Sequence, residues 1–323
     1  MRYFFGLMVM ALGVAALNGC AYVSLPVSRT MPLEEQTVEG EGRQKLLLLD
    51  VGGVISEREK SGGLLSRSTP SLVSSIRESL LKAEKDDNVA GVIVRINSPG
   101  GTVTASDIIY HDLTLFKGRK KVPVVACITG IGTSGGYYIA AAADEIVAHP
   151  TAVTGSIGVM LMRFNVEGLM GKIGVSERTI KSGEKKDILS PFRAATPEEE
   201  KLVQTIIDRL HGRFVDVVQT RPNNKLSRLE LESLADGRIF TADQALQVKL
   251  IDRTGYLDDV IDAMKKKLGL EDARVVTYYR PGSYKGSIYA EASPEAERFG
   301  TLLGLIGGGD VFGESQFMYL WSP

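Results

Sequence analysis

One serine, Ser134, stands inside the stretch Cys127–Ala143, with glycines at 130, 132, 135 and 136 around it. The apolar run Val122–Ile128 leads in as a strand, and an alanine-rich helix leads out. Small residues let backbone pack on backbone, and glycine reaches conformations closed to other residues. A serine at the mouth of such a helix lies near unsatisfied backbone N–H groups and the positive end of the helix dipole. That position suits a nucleophile and an oxyanion. It suits a helix N-cap equally well, and this stretch alone leaves both readings open.

Hydrolysis by a serine needs a base to take its proton. The chain has three histidines, His111, His149 and His211, none in a neighbourhood that suggests a triad. Gly132-Thr-Ser134-Gly-Gly136 satisfies the Gly-x-Ser-x-Gly elbow of α/β-hydrolases. His211 is the only workable partner for an esterase of that type, and it sits within a long amphipathic helix. Lysine is the other candidate base. Its pKa must fall from ~10.4 to ~7–8, about 4 kcal/mol of destabilisation of the charged form. Burial or a second cation supplies that. The loop Lys181-Ser-Gly-Glu-Lys185-Lys186-Asp187 offers three lysines, and it reads equally as a solvated charged turn.

The elements that must position these residues alternate between strand and helix. Strands are expected at Leu46–Ile55, Gly91–Ile96, Val122–Ile128 and Glu145–Ala148, with a turn and strand over Thr151–Val159. Helices are expected at Ser71–Lys85, Thr104–Phe116, Pro197–Thr220, Leu229–Leu234, Thr241–Val248 and Leu257–Leu268. Ser61–Ser68 reads as a Gly/Ser loop. This alternation gives an α/β class with parallel neighbours and a helix-rich last third. At 44% hydrophobic and 24% charged, the 323-residue chain is of folded type. A formal net charge of −1 carries no basic excess for nucleic acid. The two cysteines make no disulfide framework, and Cys127 reads as a core residue. The apolar end Phe317–Pro323 is expected to dock on the body or on a neighbouring subunit.

Residues 1–20 read as a lipoprotein-type signal peptide: Met1-Arg2 is followed by an apolar run, Tyr3–Leu17, suited to a secretory h-region. The ending Leu17-Asn18-Gly19-Cys20 resembles a bacterial lipobox, with Cys20 as the lipidated mature N-terminus. An uncleaved signal anchor is the other reading. Both place the chain outside the cytoplasm on a membrane, inner or outer. Residues 21–43 read as a polar tether, 44–273 as the folded domain and 274–323 as a C-terminal extension.

Four ordered motifs resemble the signal peptide peptidase A family of bacterial serine–lysine peptidases. They are Asn97-Ser-Pro-Gly-Gly101, Gly130-Ile-Gly-Thr-Ser134-Gly-Gly-Tyr137, Thr154-Gly-Ser156-Ile-Gly158 and Lys181-Ser-Gly-x-x-Lys186-Asp187. Ala235-Asp-Gly-Arg238 and Leu250-Ile-Asp252 match its C-terminal signature, and Lys249 stands where a glycine is common. The resemblance implies a Clp protease/crotonase-like ββα superhelix with Ser134 as nucleophile and Lys186 as general base. Ser156 would hold the lysine amine, and Gly101, Gly135 and Gly100 would form the oxyanion and substrate-binding backbone. It implies no metal or organic cofactor. The substrates would be apolar peptides such as remnant signal peptides, cleaved on the extracytoplasmic (periplasmic) side of the bacterial envelope. A ring-like homo-oligomer is expected, in which Lys186 can serve a neighbour's Ser134. A non-enzymatic envelope scaffold is the remaining alternative.

Overall fold

Leucine and β-branched runs such as Leu46–Val51 and Val92–Ile96 are apolar at every position. Successive strand side chains point to opposite faces, so such a run is buried only where both faces are covered. The computed structural model describes residues 31–59, 69–281, 286–290 and 316–321. Its strands and helices, in chain order, are β1 (Glu34–Glu39), β2 (Lys45–Gly52), α1 (Leu72–Glu84), β3 (Val89–Ser98), β4 (Gly100–Thr102), α2 (Val103–Lys120), β5 (Val124–Thr133) and α3 (Gly135–Ala140). There follow β6 (Glu145–Ala148), β7 (Val153–Gly155), α4 (Glu167–Lys172), a 3-10 turn (Glu184–Asp187), α5 (Pro197–Gln219) and α6 (Arg228–Leu234). The last are β8 (Ile239–Thr241), α7 (Ala242–Gln247), β9 (Arg253–Thr254), α8 (Leu257–Leu268), β10 (Arg274–Tyr279) and β11 (Met318–Leu320).

The main sheet runs β1-β10-β2-β3-β5-β6-β9. From β10 to β9 all neighbours are parallel, and β1 closes one edge antiparallel to β10. The two sheet faces sort by residue parity. Leu47, Leu49, Val92, Val94, Ala126 and Ile128 face α1, α2, α3 and α5. Leu46, Leu48, Ile93, Val125, Cys127 and Val147 face Leu257, Val260, Ile261 and Met264 of α8. Cys127 is wholly buried, as expected, and burial pushes its thiol up to about 12.

Several stretches differ from the sequence reading. Glu34–Glu39, read as part of a tether, forms β1, because the unpaired edge of β10 supplies backbone partners that no local periodicity reveals. Its glutamates suit it to an edge, where charge deters further pairing. β10 begins at Arg274, the start of the expected extension, yet lies inside the sheet. The apolar stripe of α5 is buried only in its second half: Phe214, Val217 and Val218 are core, while Leu202 and Ile206 are exposed. Lys249 has a left-handed φ of 63°, which explains why glycine suits that position. Residues 1–20 with Cys20, the Ser61–Ser68 loop and most of the C-terminal extension lie outside the described residues. Among the described residues no helix is long and apolar enough to cross a membrane.

Candidate active site

β5 changes partners along its length. Its first half pairs with β6, whereas Ile131–Thr133 pairs in parallel with β7, which carries β8 on its far side. The switch occurs across Gly130 and Gly132, where a Cβ would meet Asn97 Oδ1 at 2.9 Å and the Ile128 side chain at 2.6 Å. Ser134 follows immediately, with φ 52° and ψ −115°. A non-glycine residue held there costs about 1–3 kcal/mol and persists only when its surroundings fix it. They do. The Ser134 N–H donates to Gly155 O at 2.8 Å, and its carbonyl accepts the Tyr138 N–H at 2.9 Å. Ser134 is 1% exposed, and its side chain makes no capping bond to α3. The helix-cap reading of this serine is therefore not the one the chain uses.

The Pro-Gly-Gly turn lies against this serine from the other side. Ser98 Oγ donates to Gly53 O at 2.6 Å and accepts the Gly100 N–H at 3.1 Å. Ile55 N–H donates to Gly100 O at 2.8 Å, and Thr102 N–H donates to Ile55 O at 2.9 Å. Gly100 has a φ of 105°, and a Cβ on it would stand 2.9 Å from the Gly135 nitrogen. A Cβ on Gly135 would in turn lie 3.2 Å from the Gly101 nitrogen. The two chain segments thus meet backbone to backbone, which only glycine permits. The Gly100 N–H is committed to Ser98, leaving Gly101 and Gly135 as the N–H groups that face each other beside Ser134.

Ser156 follows β7 as Ser134 follows β5, in register with it, and shares its φ of 52°. Its N–H donates to Arg238 O at 2.8 Å. Lys186 is not brought to either serine within one chain. It lies exposed on the 3-10 turn, and among the described residues its amine joins no ion pair. Of the other two loop lysines, Lys181 pairs with Asp187 at 2.7 Å and Lys185 with Glu198 at 2.9 Å. His211 Nε2 is hydrogen-bonded with Ala235 O at 2.7 Å, His111 is exposed, and His149 packs on Tyr256 and Tyr289.

The profile of Peptidase family S49 matches residues 117–271, and that of Clp protease matches residues 63–154. An Enterococcus faecium protein described as a signal peptide peptidase SppA is 37% identical over 245 residues, covering 76% of this chain and 70% of the relative. The chain belongs to peptidase family S49. A Synechocystis protein described as a protease is 41% identical over 210 residues, 64% of this chain and 74% of the relative. The chloroplastic serine protease SPPA of Arabidopsis thaliana is 31% identical over 237 residues, 73% of this chain and 34% of the relative. The chain is thus a serine peptidase of the S49 family, with the Clp protease-like α/β fold that the resemblance implied.

Some of what shapes this S49 peptidase was not legible beforehand. Asp187 is not a bystander in the lysine loop: Arg193 pairs with it at 2.7 Å and with Glu199 at 2.6 Å. Arg193 holds the Glu199 carboxyl down at about 2, and Arg193 and Lys181 together hold Asp187 lower still. The capping box Thr196-x-x-Glu199 was the available signal, since it places Glu199 at the start of α5. A second omission is the wall beside the serine. Tyr138 OH donates to Asp107 at 2.6 Å, and Arg213 binds the same oxygen at 2.7 Å.

Proposed function

We propose that this peptidase is a membrane-tethered endopeptidase that works through a Ser134–Lys186 dyad and an acyl-enzyme. Ser134 Oγ attacks the carbonyl of an extended peptide while Lys186 accepts its proton, then delivers it to the leaving amine. Water resolves the ester. The N–H groups of Gly101 and Gly135 receive the oxyanion, and Ser156 orients the lysine amine. The observation that carries the reading is a buried serine, fixed in a strained conformation by two backbone bonds, beside two closely apposed glycine N–H groups.

Lys186 comes from a neighbouring copy in this reading. Its ammonium is the one in the loop that no carboxylate claims among the described residues, and it lies far more open to solvent than Ser134. Burial beneath a second copy is what a lysine base requires. A ring-like homo-oligomer follows, and substrates are unfolded apolar segments, remnant signal peptides among them. Residues 1–20 act as a lipoprotein signal with Cys20 as the lipidated residue, and the peptidase unit faces the extracytoplasmic side of the bacterial envelope. His211, bonded to Ala235, gives the esterase alternative no support.

The test is hydrolysis of a fluorogenic apolar peptide. Ser134→Ala should lose about 10⁴-fold and Lys186→Met at least about 100-fold in kcat. Mixing the two inactive proteins should restore activity, because mixed assemblies contain intact pairs. Wild-type rates in either variant reject the dyad. Fatty-acid labelling that persists in Cys20→Ser would exclude Cys20 as the lipid site.

A further inference from the structure

The segment 316–321 returns to the serine. β11 pairs antiparallel with β4 in the register Met318 to Thr102, Tyr319 to Gly101 and Leu320 to Gly100. Val103 N–H donates to Phe317 O at 3.1 Å, and Trp321 N–H donates to Pro99 O at 2.9 Å. Hydrogen-bonded and non-bonded pairs alternate along an antiparallel ladder. With bonds at Phe317 and at Trp321, the bonded pair between them is Tyr319 with Gly101. The Tyr319 carbonyl therefore faces the Gly101 N–H. It also lies against Gly135, where a Cβ would stand 3.1 Å from the Tyr319 oxygen. On its other edge the segment exchanges two bonds of 3.0 Å, between Met318 and Met160. It is clamped on both edges, as an added strand is in peptide recognition.

The Tyr319 side chain fills a closed pocket and is wholly buried. Its ring stacks on Tyr138 at 5.0 Å and 24° and lies 4.7 Å from Phe214. At the pocket floor its hydroxyl donates to Leu210 O at 2.9 Å. The Asp107–Arg213 pair holds the Tyr138 wall. Apolar packing alone explains the aromatic ring but not the placement of its carbonyl between the two N–H groups beside Ser134.

We propose that residues 317–321 are held as an internal substrate, with Tyr319 in a pocket that selects tyrosine on the acyl side of the cleaved bond. The inference rests on the reading of Ser134 as nucleophile. Ser134 Oγ adds to the Tyr319 carbonyl carbon and gives its proton to the base. The Tyr319–Leu320 C–N bond breaks, and that proton goes to the Leu320 nitrogen, releasing Leu320–Pro323. Water then splits the ester, leaving a Tyr319 carboxylate and a free Ser134 hydroxyl. Until the tail leaves, it competes with any other peptide for the cleft.

The experiment is intact-mass measurement on the full chain during incubation, run beside hydrolysis of peptides that differ only at the residue before the cleaved bond. Wild type should lose Leu320–Pro323, and Ser134→Ala should keep it. Tail loss should slow about 100-fold in Tyr319→Ala and about fivefold in Tyr319→Phe, which lacks only the hydroxyl bonded to Leu210. Peptides should rank tyrosine, phenylalanine, alanine by similar factors in kcat/KM. Tail loss in Tyr319→Ala at the wild-type rate overturns the inference. So does a wild-type chain that cleaves peptides yet keeps its tail, and that result leaves the peptidase reading standing. A chain that cleaves neither peptides nor tail fails the peptidase reading itself.

Discussion

Ser134 sits where backbone meets backbone: β5, β7 and the Pro-Gly-Gly turn fix it through main-chain hydrogen bonds, and glycines allow the approach. Lys186 sits on an arm, residues 160–195, built on the opposite plan. Its helix α4 buries no residue, and Leu169, Ile173 and Ile180 stand exposed at 61%, 66% and 96%. Ion pairs centred on Arg193 tie the arm to the start of α5. Backbone geometry in the first region tolerates almost no side chain, whereas the second presents apolar surface that one chain leaves uncovered. Apolar surface of that kind marks a protein interaction face. The nucleophile is thus specified within one chain, and the arm by what packs against it.

Three changes test that contrast. Gly101→Ala drives a Cβ into the Ile55 backbone and should cost about 3 kcal/mol in thermal unfolding, with loss of peptide hydrolysis. An unchanged melting temperature would show the cradle to be more yielding than its contacts imply. Arg193→Met should act the other way round. Proteolysis within residues 160–195 should speed up and peptide hydrolysis fall about tenfold through misplaced Lys186, with the cooperative melt nearly unmoved. Acid should imitate it. The Glu199 carboxyl lies below its ordinary 4.5, at about 2, so its contribution is complete above about 4.5 and fades as pH falls towards about 2. Arm order should therefore decline over that window, read as protease sensitivity with an acid-tolerant protease. The smallest effect is expected at Lys249→Gly, which relieves a left-handed φ and should stabilise by about 0.5–1 kcal/mol without touching activity.

Much of the sheet was legible because β2, β3 and β5 are apolar at every position, and helices such as α8 show their stripe plainly. The cradle was legible as clustered glycines, whose spacing marks close approach before any partner is known. β1 was not legible, since Glu34–Glu39 owes its conformation to a partner at the far end of the chain. Nor was the openness of Lys186: a Lys-Lys-Asp loop reads alike whether covered or bare, and the identity of its carboxylate partners is a matter of tertiary distance. The tail could be expected to dock from its composition, yet its register against Gly101 lies in pairing, not in pattern.

The pairing of β1 with β10 also constrains the order of assembly. Glu34 and Tyr279 meet across 245 residues of chain, so one sheet edge closes only after nearly all of the protein has been made. Contacts of such separation form late, because the entropy of closing the intervening loop must be met first. β3 and β5 lie much nearer one another in sequence and carry the serine between them. A chain emerging from its N-terminus assembles its nucleophile before its border strand, and the segment that enters the cleft beside Ser134 is the last to arrive.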